Sequence, residues 1–589
     1  MFEWGIESLT FSSGEEITVE PASTFIIIGP NNSGKSTALR EITFLSNNQL
    51  TATQVIKSLK RFVKGDESEF TTWLTDNFSS FINQGIRYFI SKNDVIIESS
   101  VGAIWKDLKH KTEITTLTQS DGLLAYHFLI HHLDTTSRLS LIASVPSKNA
   151  FDNPSQYIHV LQMNEELRNK ISIQVRKAFQ KDLIINWGGG NRVWFHVGDE
   201  PDRTAQRDRV SLEYLEELQE VPRLEDEGDG IRSFVGTLLA CHCGTQPVLL
   251  IDEPEVFLHP PQIRRLAEII AKNAEERKRQ VIMATHSSEV VQGALSASSR
   301  VAICRITREG KVNHATLLSQ SQIEELWSKP LLRSAAAIDG VFHEGVIVSE
   351  ADSDSRIYEA ILRQIENEGR IQSPNDFYFV QGGGKGELAT IAKVYVTLGV
   401  KTAVIADFDI LRQRGEFEKL YSSLGGDFNS IETKYNATAC ALSKIGPRLL
   451  LPDFVAEVRR SLDSLEVEAN QLNTETETLL KLSSEHRKYF SKLLEDTGDW
   501  SEAKKYGIAK LKGGAFQTCA ELLEECARIG LFIVPYGELE SWWRGGPAIK
   551  NEWFVEAISE ISRNPSSFKE AGDFIARICQ HLNSSNSKI

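Results

Sequence analysis

The sequence predicts an α/β protein of at least two domains, and three stretches carry that prediction. "FIIIGPNNSGKSTALREI" (25–42) joins an apolar, β-branched run to a helix start through a glycine-containing turn. "PVLLIDEPE" (247–255) is a second buried strand, ending in two acids. From residue 345 onward, short apolar strands end in acidic or glycine residues and each precede a helical stretch. Strands alternating with helices form parallel sheets, which place ligands at their carboxyl edges. At 589 residues the chain is also too long for one hydrophobic core.

Composition narrows the class. Hydrophobic content of 41% and charged content of 25% belong to an ordinary soluble protein, and no apolar run is long enough to cross a bilayer. The start, Met1-Phe2-Glu3-Trp4, lacks the basic segment and apolar core of a secretory signal, so a reducing cytoplasm is expected for the seven cysteines. Cys241-His242-Cys243 has no second Cys/His pair at zinc spacing and reads as buried thiols. A net charge of −15 argues against a basic coat, leaving phosphate contacts to a local patch or a bound metal.

The first motif, Gly29-Pro30-Asn31-Asn32-Ser33-Gly34-Lys35-Ser36, fits G-x-x-x-x-G-K-[ST] between a strand and a helix that continues through Thr37. In such a loop successive N–H groups face phosphate oxygens, and the helix N-terminus adds its positive end. Gly29, Asn32, Gly34, Lys35, Ser36 and Thr37 are therefore nucleotide-binding candidates: Lys35 reaches the terminal phosphates and Ser36 ligates magnesium. The strand at 247–252 supplies the other half. Asp252 is placed to hold the magnesium through water, and Glu253 to polarise the attacking water as the catalytic residue of ATP hydrolysis. "FLHPPQIRRLAEII" then starts a helix, and "VIMATH" forms another strand ending in His286.

This order and spacing resemble the ATP-binding cassette (ABC) ATPases of the chromosome-maintenance and repair type. The resemblance implies that His286 is the switch histidine sensing the γ-phosphate and that "FLHP" (257–260) is the D-loop passing a composite site. It also implies a signature loop reaching the nucleotide of an opposite protomer. Gly228-Asp229-Gly230, opening the helix in "EDEGDGIRSFVGTLLA", is the candidate, departing from the usual Ser-Gly-Gly-Gln. With only one such cassette in the chain, a homodimer or higher homo-oligomer is expected. Residues 45–195 read as a mixed insertion, with an amphipathic helix around "NEELRNKISIQVRKAF", a hinge-like "WGGGN" at 187–191, and a basic piece, "KSLKRFVKG" (57–65), read as a solvated helix face.

The second set of acids begins with "EGVIVSEADSDSRIYEAIL", a strand with Glu350 at its tip and Asp354 four residues on at a helix start. "DFYFVQGGGKGELATIAKV" adds a strand, a glycine-rich turn at 382–384 and a helix; "KTAVIADFDIL" adds a strand ending Asp407-Phe408-Asp409. Carboxylates converging at one sheet edge repel unless a divalent cation neutralises them, so magnesium or manganese is the expected occupant. The region resembles the TOPRIM fold shared by topoisomerases, primases and a group of nucleases: an acid after the first strand, a second four positions on, a glycine-rich turn, then Asp-x-Asp. Ala351 replaces the usual glycine after the first acid.

A P-loop ATPase of the ABC type followed by TOPRIM resembles the OLD (overcoming lysogenisation defect) family of nucleases, which includes Gabija-type and retron-associated antiphage effectors. The implied layout is an ATPase domain at 1–340, a TOPRIM domain at 341–545 interrupted by a helical insertion at about 411–530, and a C-terminal helical segment at 546–589. Within the insertion, residues 455–500 have apolar spacing that suits a helical hairpin. "GLFIVPYGELESWW" (530–543) returns to strand character, and the resemblance adds Glu540, ahead of Glu538, to the metal site. It also calls for a basic residue near the scissile phosphate, for which Lys385 and Lys512 are both candidates.

The expected function is cleavage of DNA in the TOPRIM domain by two divalent ions held by Glu350, Asp354, Asp407, Asp409 and Glu540, controlled by the ATPase domain, in antiphage defence. Expected partners are DNA, a second copy of the chain, and an accessory defence protein such as a helicase or a reverse transcriptase with its RNA/DNA; no membrane is expected. Topoisomerase chemistry requires a tyrosine nucleophile in another domain, and primase the zinc-ribbon cysteines, neither of which is seen. A non-catalytic ATP-driven DNA clamp or sensor, and an RNA or tRNA nuclease, are the alternatives.

Overall fold

A six-stranded sheet organises the N-terminal part of the chain. The computed structural model describes residues 2–47, 53–83, 86–90, 96–97, 101–110, 113–115, 126–149, 154–202, 208–318, 338–371, 376–443, 455, 459–460, 500–547 and 549–584. They divide into two compact units, Met1–His343 and Glu344–Ile589. The strands of the first unit used below are β1 (Glu3–Phe11), β2 (Glu16–Thr18), β3 (Thr24–Ile28), β4 (Ile56–Lys64), β5 (Glu113–Thr115), β6 (Ile130–Leu133), β7 (Val248–Asp252), β8 (Gln280–Ala284), β9 (Val301–Glu309) and β10 (Val312–Leu317). The main sheet has the order β10-β9-β3-β8-β7-β6, parallel except for β10. Its inner strands are buried on both faces, which is why β3 reads Thr-Phe-Ile-Ile-Ile without alternation. The helices that place its site are α1 (Lys35–Asn47), α2 (Glu165–Phe179), α3 (Asp229–Cys243), α4 (Pro260–Glu276) and α5 (Ser288–Ala297).

A second, antiparallel sheet, β2-β1-β4-β5, packs its apolar face into the same core as β3 and α1. Here the structure departs from expectation. The basic piece at 57–65 is not a helix face but most of β4, paired to β1 from Ile56 to Lys64. Ile56 and Leu59 are buried in the core, and sheet pairing with β1 overrides the local lysine-rich composition. The interval 45–195 likewise supplies an edge strand, β6, to the main sheet. The amphipathic helix expected near 164–179 is α2, capped by the Asn164 side chain, and "WGGGN" lies in the connection between the paired strands Asp182–Ile185 and Phe195–Gly198. Cys241 and Cys243 are buried thiols, and His242 bonds to Gln174 and Asn273. Burial depresses the His242 pKa to about 3, so this trio is core.

The second unit is built on β11 (Gly345–Ser349), β12 (Phe377–Gln381), β13 (Lys401–Ala406) and β14 (Leu531–Ile533), all parallel in the order β12-β11-β13-β14. Its helices used below are α6 (Asp352–Asn367), α7 (Lys385–Thr397), α8 (Trp500–Tyr506), α9 (Gly514–Arg528), α10 (Lys550–Arg563) and α11 (Lys569–Ser584). Helices Arg414–Ser423 and Phe428–Leu442 join after β13, where Phe417 stacks on Tyr435 at 4.9 Å between centroids. The helical hairpin expected over 455–500 falls almost entirely outside the described residues. Helices α10 and α11 pack on α6 in the unit's own core, with Trp553, Ile575 and Ile578 buried against Ile357 and Ile361. Among the described residues no helix is long and apolar enough to cross a membrane.

Candidate nucleotide and metal sites

The loop between β3 and α1 has the backbone that its glycines require. Gly29 has φ +147°, and a Cβ there would stand 2.1 Å from the Ile306 carbonyl oxygen; Gly34 has φ +95° and Asn32 φ +61°. The curled loop encloses Lys35, whose Nζ donates to the Gly29 and Pro30 carbonyls at 2.7 and 2.8 Å. Ser36 is the second residue of α1, and its hydroxyl donates to Asp252 Oδ1 at 2.9 Å. Two oxygen ligands from separate motifs thus meet at the sheet's carboxyl edge, a donor set suited to magnesium beside a phosphate cradle. Thr37 follows on the first turn, within 3.3 Å of Arg40.

Glu253 leaves β7 with φ +47°, a left-handed conformation that costs about 1–3 kcal/mol for a residue with a Cβ. The strain is held by neighbours. Its N–H donates to Ala284 O at 2.9 Å, and the buried guanidinium of Arg138 donates to the Asp252 and Glu253 carbonyls, each at 3.0 Å. His286 Nε2 stands 3.8 Å from Glu253 Oε1. Glu255, in the quoted motif but given no role from sequence, is buried and accepts from Thr285 Oγ1 at 2.9 Å and His286 N at 2.7 Å, tying the ends of β7 and β8 together. Burial raises the pKa of both Glu255 and Asp252. Gly228 caps α3, Asp229 pairs with Arg232, and a Cβ on Gly230 would stand 2.7 Å from Phe257 O, so the signature and D-loop candidates touch.

In the second unit, Glu350 follows β11 and Asp407 follows β13, adjacent strands in register at Val348 and Val404. The Asp407 N–H donates to Glu350 Oε1 at 3.1 Å, and Asp409 lies in the next turn. One carboxylate oxygen from each of Glu350, Asp407 and Asp409 lies within 4.8 Å of the other two. At an effective dielectric near 20 such spacing costs at least about 3 kcal/mol per ionised pair. Burial raises the Glu350 pKa despite Lys385, and burial followed by Glu350 raises that of Asp407. An all-carboxylate set held this way fits a hard divalent cation.

Asp354 sits on the first turn of α6, its Oδ2 accepting from Ala351 N at 3.1 Å. Ala351 has φ −132°, extended backbone open to any residue, so the missing glycine costs nothing there. Asp354 and Glu540 line the same cleft of about 530 Å³ as Glu350 and Asp407, and Glu540 raises the Asp354 pKa further after burial. Glu538 stands outside that lining, 3.5 Å from Lys504 and 3.7 Å from Lys550. Of the two lysine candidates, Lys385 at the start of α7 lines the cleft and pairs with Asp409. Lys512 is exposed and does not line it.

Arg138, Lys504 and Lys550 escaped the sequence reading. Lys550 Nζ lies 2.8 Å from Glu540 Oε1 and Lys504 Nζ 3.8 Å from Asp409 Oδ2. Arg138 sits in "DTTSRLS", which carries no motif.

A P-loop nucleotide site in one unit and an acid-edged parallel sheet in the other define an ATPase–TOPRIM protein. Residues 341–409 match the family model "Overcoming lysogenization defect protein-like, TOPRIM domain", and residues 173–292 match the model "AAA domain, putative AbiEii toxin, Type IV TA system". Over these stretches the chain is similar to proteins of the OLD family. It is 30% identical over 170 residues to the Old nuclease of Escherichia phage P2, and 30% identical over 94 residues to Protein ea59 of Escherichia phage lambda. The alignments span 28% and 18% of those relatives' lengths, and 28% and 16% of this chain. An SMC head domain from Thermotoga maritima overlays with a TM-score of 0.28 and 11% identity, covering 53% of this chain and 99% of that one. The two domain types imply use of a nucleotide and a divalent metal.

Proposed function

We propose that this protein is a divalent-metal-dependent DNA endonuclease, cutting in the TOPRIM unit under control of the ATPase unit and serving in antiphage defence. The observation that carries the reading is the convergence of Glu350, Asp407 and Asp409 beside a cleft that also holds Asp354, Glu540, Lys385 and Lys550. The name of the P2 relative, a nuclease, supports it.

Glu350, Asp407 and Asp409 would be the principal ligands, with Asp354 and Glu540, which line the same cleft, completing the set. Bound Mg²⁺ or Mn²⁺ would supply charge stabilisation and a lowered water pKa. The chain's own groups do the rest. The Asp407 N–H fixes Glu350, the Ala351 N–H fixes Asp354, and Lys385 and Lys550 are cations placed to hold a phosphate oxygen. In the ATPase unit Lys35 and the loop amides bind the phosphates of ATP, Ser36 and Asp252 hold its magnesium, Glu253 orients water and His286 stands as the switch. Gly228–Gly230 would complete a partner's site in a homodimer, which light scattering tests; a monomer with and without ATP at micromolar concentration refutes it.

The deciding experiment is nicking of supercoiled plasmid by the purified full-length chain with Mg²⁺ or Mn²⁺, with and without ATP, and its abolition by EDTA. Failure to cleave under every metal and nucleotide condition would favour a DNA clamp; cleavage of RNA alone would favour an RNA nuclease.

A further inference from the structure

We propose that the surface running from Lys504 through Lys505, Tyr506 and Lys510 to Arg544 is the track on which the backbone of double-stranded DNA lies as it enters the carboxylate cleft. The proposal rests on the nuclease reading above and extends it to the path of the substrate. The track begins on the cleft wall: Lys504 lines it, with Nζ 3.8 Å from Asp409 Oδ2 and 3.5 Å from Glu538 Oε2.

Beyond Lys504, three cations gather on one ring. Lys505 Nζ, Lys510 Nζ and the Arg544 guanidinium stand 5.5, 4.4 and 5.0 Å from the Tyr506 centroid. Each such contact is worth about 0.5–1 kcal/mol at an exposed site, enough to hold the three cations on one ring in water but leaving their charge available to a ligand. Lys510 pairs with Glu502, but among the described residues neither Lys505 nor Arg544 has a carboxylate partner. In a chain of net charge −15, a cation cluster left this open invites a polyanion. The ring's surroundings choose its form. Proteins that hold single strands leave aromatic faces free to stack bases, whereas the cations crowd Tyr506 and present charge, which suits the backbone of a duplex.

The track is fastened to the loop that carries the acids. Ile508 N donates to Pro535 O at 2.9 Å and Ser541 Oγ to Lys505 O at 3.1 Å. A Cβ on Gly507 would fall 2.0 Å from Pro535 O, and one on Gly537 2.0 Å from Lys504 O, so the two segments touch backbone to backbone. A phosphate on the track therefore sits at a set distance from Glu538, Glu540 and Asp409.

The test is fluorescence anisotropy of a labelled DNA duplex with full-length protein in EDTA, where binding is read without cleavage, over a series of salt concentrations. Relative to wild type, Lys505→Glu/Arg544→Glu should bind at least about tenfold more weakly, and its log Kd against log salt slope should fall by about 2. Lys505→Arg/Arg544→Lys should keep both, as should the exposed same-unit control Arg563→Glu/Lys569→Glu. An unchanged slope in a Lys505→Glu/Arg544→Glu protein with a wild-type melting profile overturns the track while plasmid nicking by wild type leaves the nuclease reading standing. Equal binding of an RNA duplex overturns the choice of DNA. A wild-type protein that neither binds nor nicks DNA sinks the nuclease reading itself.

Discussion

The Ser36 hydroxyl donates to Asp252 Oδ1 across 2.9 Å, joining two motifs 216 residues apart at one sheet edge. The bond exists because β3 and β7 flank β8 in parallel register, so both strands release their chains on the same side. Lys35 is bonded to the loop carbonyls next to it and Glu253 lies at the tip of β7, and the proposed function gives them different tasks. Lys35→Ala should weaken ATP binding at least about tenfold, because a phosphate loses its charged donor. Glu253→Gln should bind ATP normally and hydrolyse it about 10²–10⁴-fold more slowly. Calorimetric nucleotide titration and phosphate release separate the two, and equal loss of binding in both variants would contradict the assignment.

Arg138 should prove structural for the hydrolytic turn. It is fully buried, holds two carbonyls of the Asp252-Glu253 turn, and lies near the carboxylates of Glu255, Asp252, Asp134 and Glu253. Removing it strands those groups, so Arg138→Ala should lose about 3–5 kcal/mol of stability. Denaturant unfolding followed with bound nucleotide measures the loss; a change below about 1 kcal/mol would show that the turn holds itself.

Asp407→Ala should abolish plasmid nicking while ATP binding and oligomeric state stay as in wild type, since the P-loop belongs to the other unit. Glu350→Ala should behave alike, because its oxygen also holds the Asp407 N–H. A nicking Asp407→Ala protein would remove the metal-site assignment.

Stability and metal affinity should respond to pH in opposite directions. Burial raises Glu350 toward about 7 and Asp407 toward about 8, above ordinary carboxyl values near 4. The metal-free folded state therefore holds more protons than the unfolded chain between about pH 4 and pH 8, and its stability falls as pH rises through that window. Ligation needs the ionised forms, so Mn²⁺ affinity should climb over the same range, with proton release. Melting of metal-free wild type and Asp407→Asn at pH 5 and pH 8, with manganese titration at each, checks both signs; equal pH dependence in the two proteins would exclude Asp407 as the source.

Local chemistry alone determined the nucleotide loop, the acidic strand ends and the parallel architecture. Gly29 to Ser36, Asp252-Glu253, Glu350 and Asp407-x-Asp409 each combine an apolar strand with a following turn, and both periodicity and turn chemistry are properties of a few neighbouring residues. The helical α2 was legible for the same reason. What the tertiary structure decided depended on residues far apart in the chain. "KSLKRFVKG" became β4 because β1 offered a partner edge, a fact absent from its own nine letters. Arg138 reached the Asp252-Glu253 turn across more than a hundred residues, and Lys385, not Lys512, reached Asp409. Lys504 and Lys550 gained their places only when α8 and α10 packed around the end of β14. A strand end can be read from composition, but which cation faces a carboxylate is settled by packing, since lysine is common on surfaces and its sequence neighbours do not say where its long side chain will find an opposite charge.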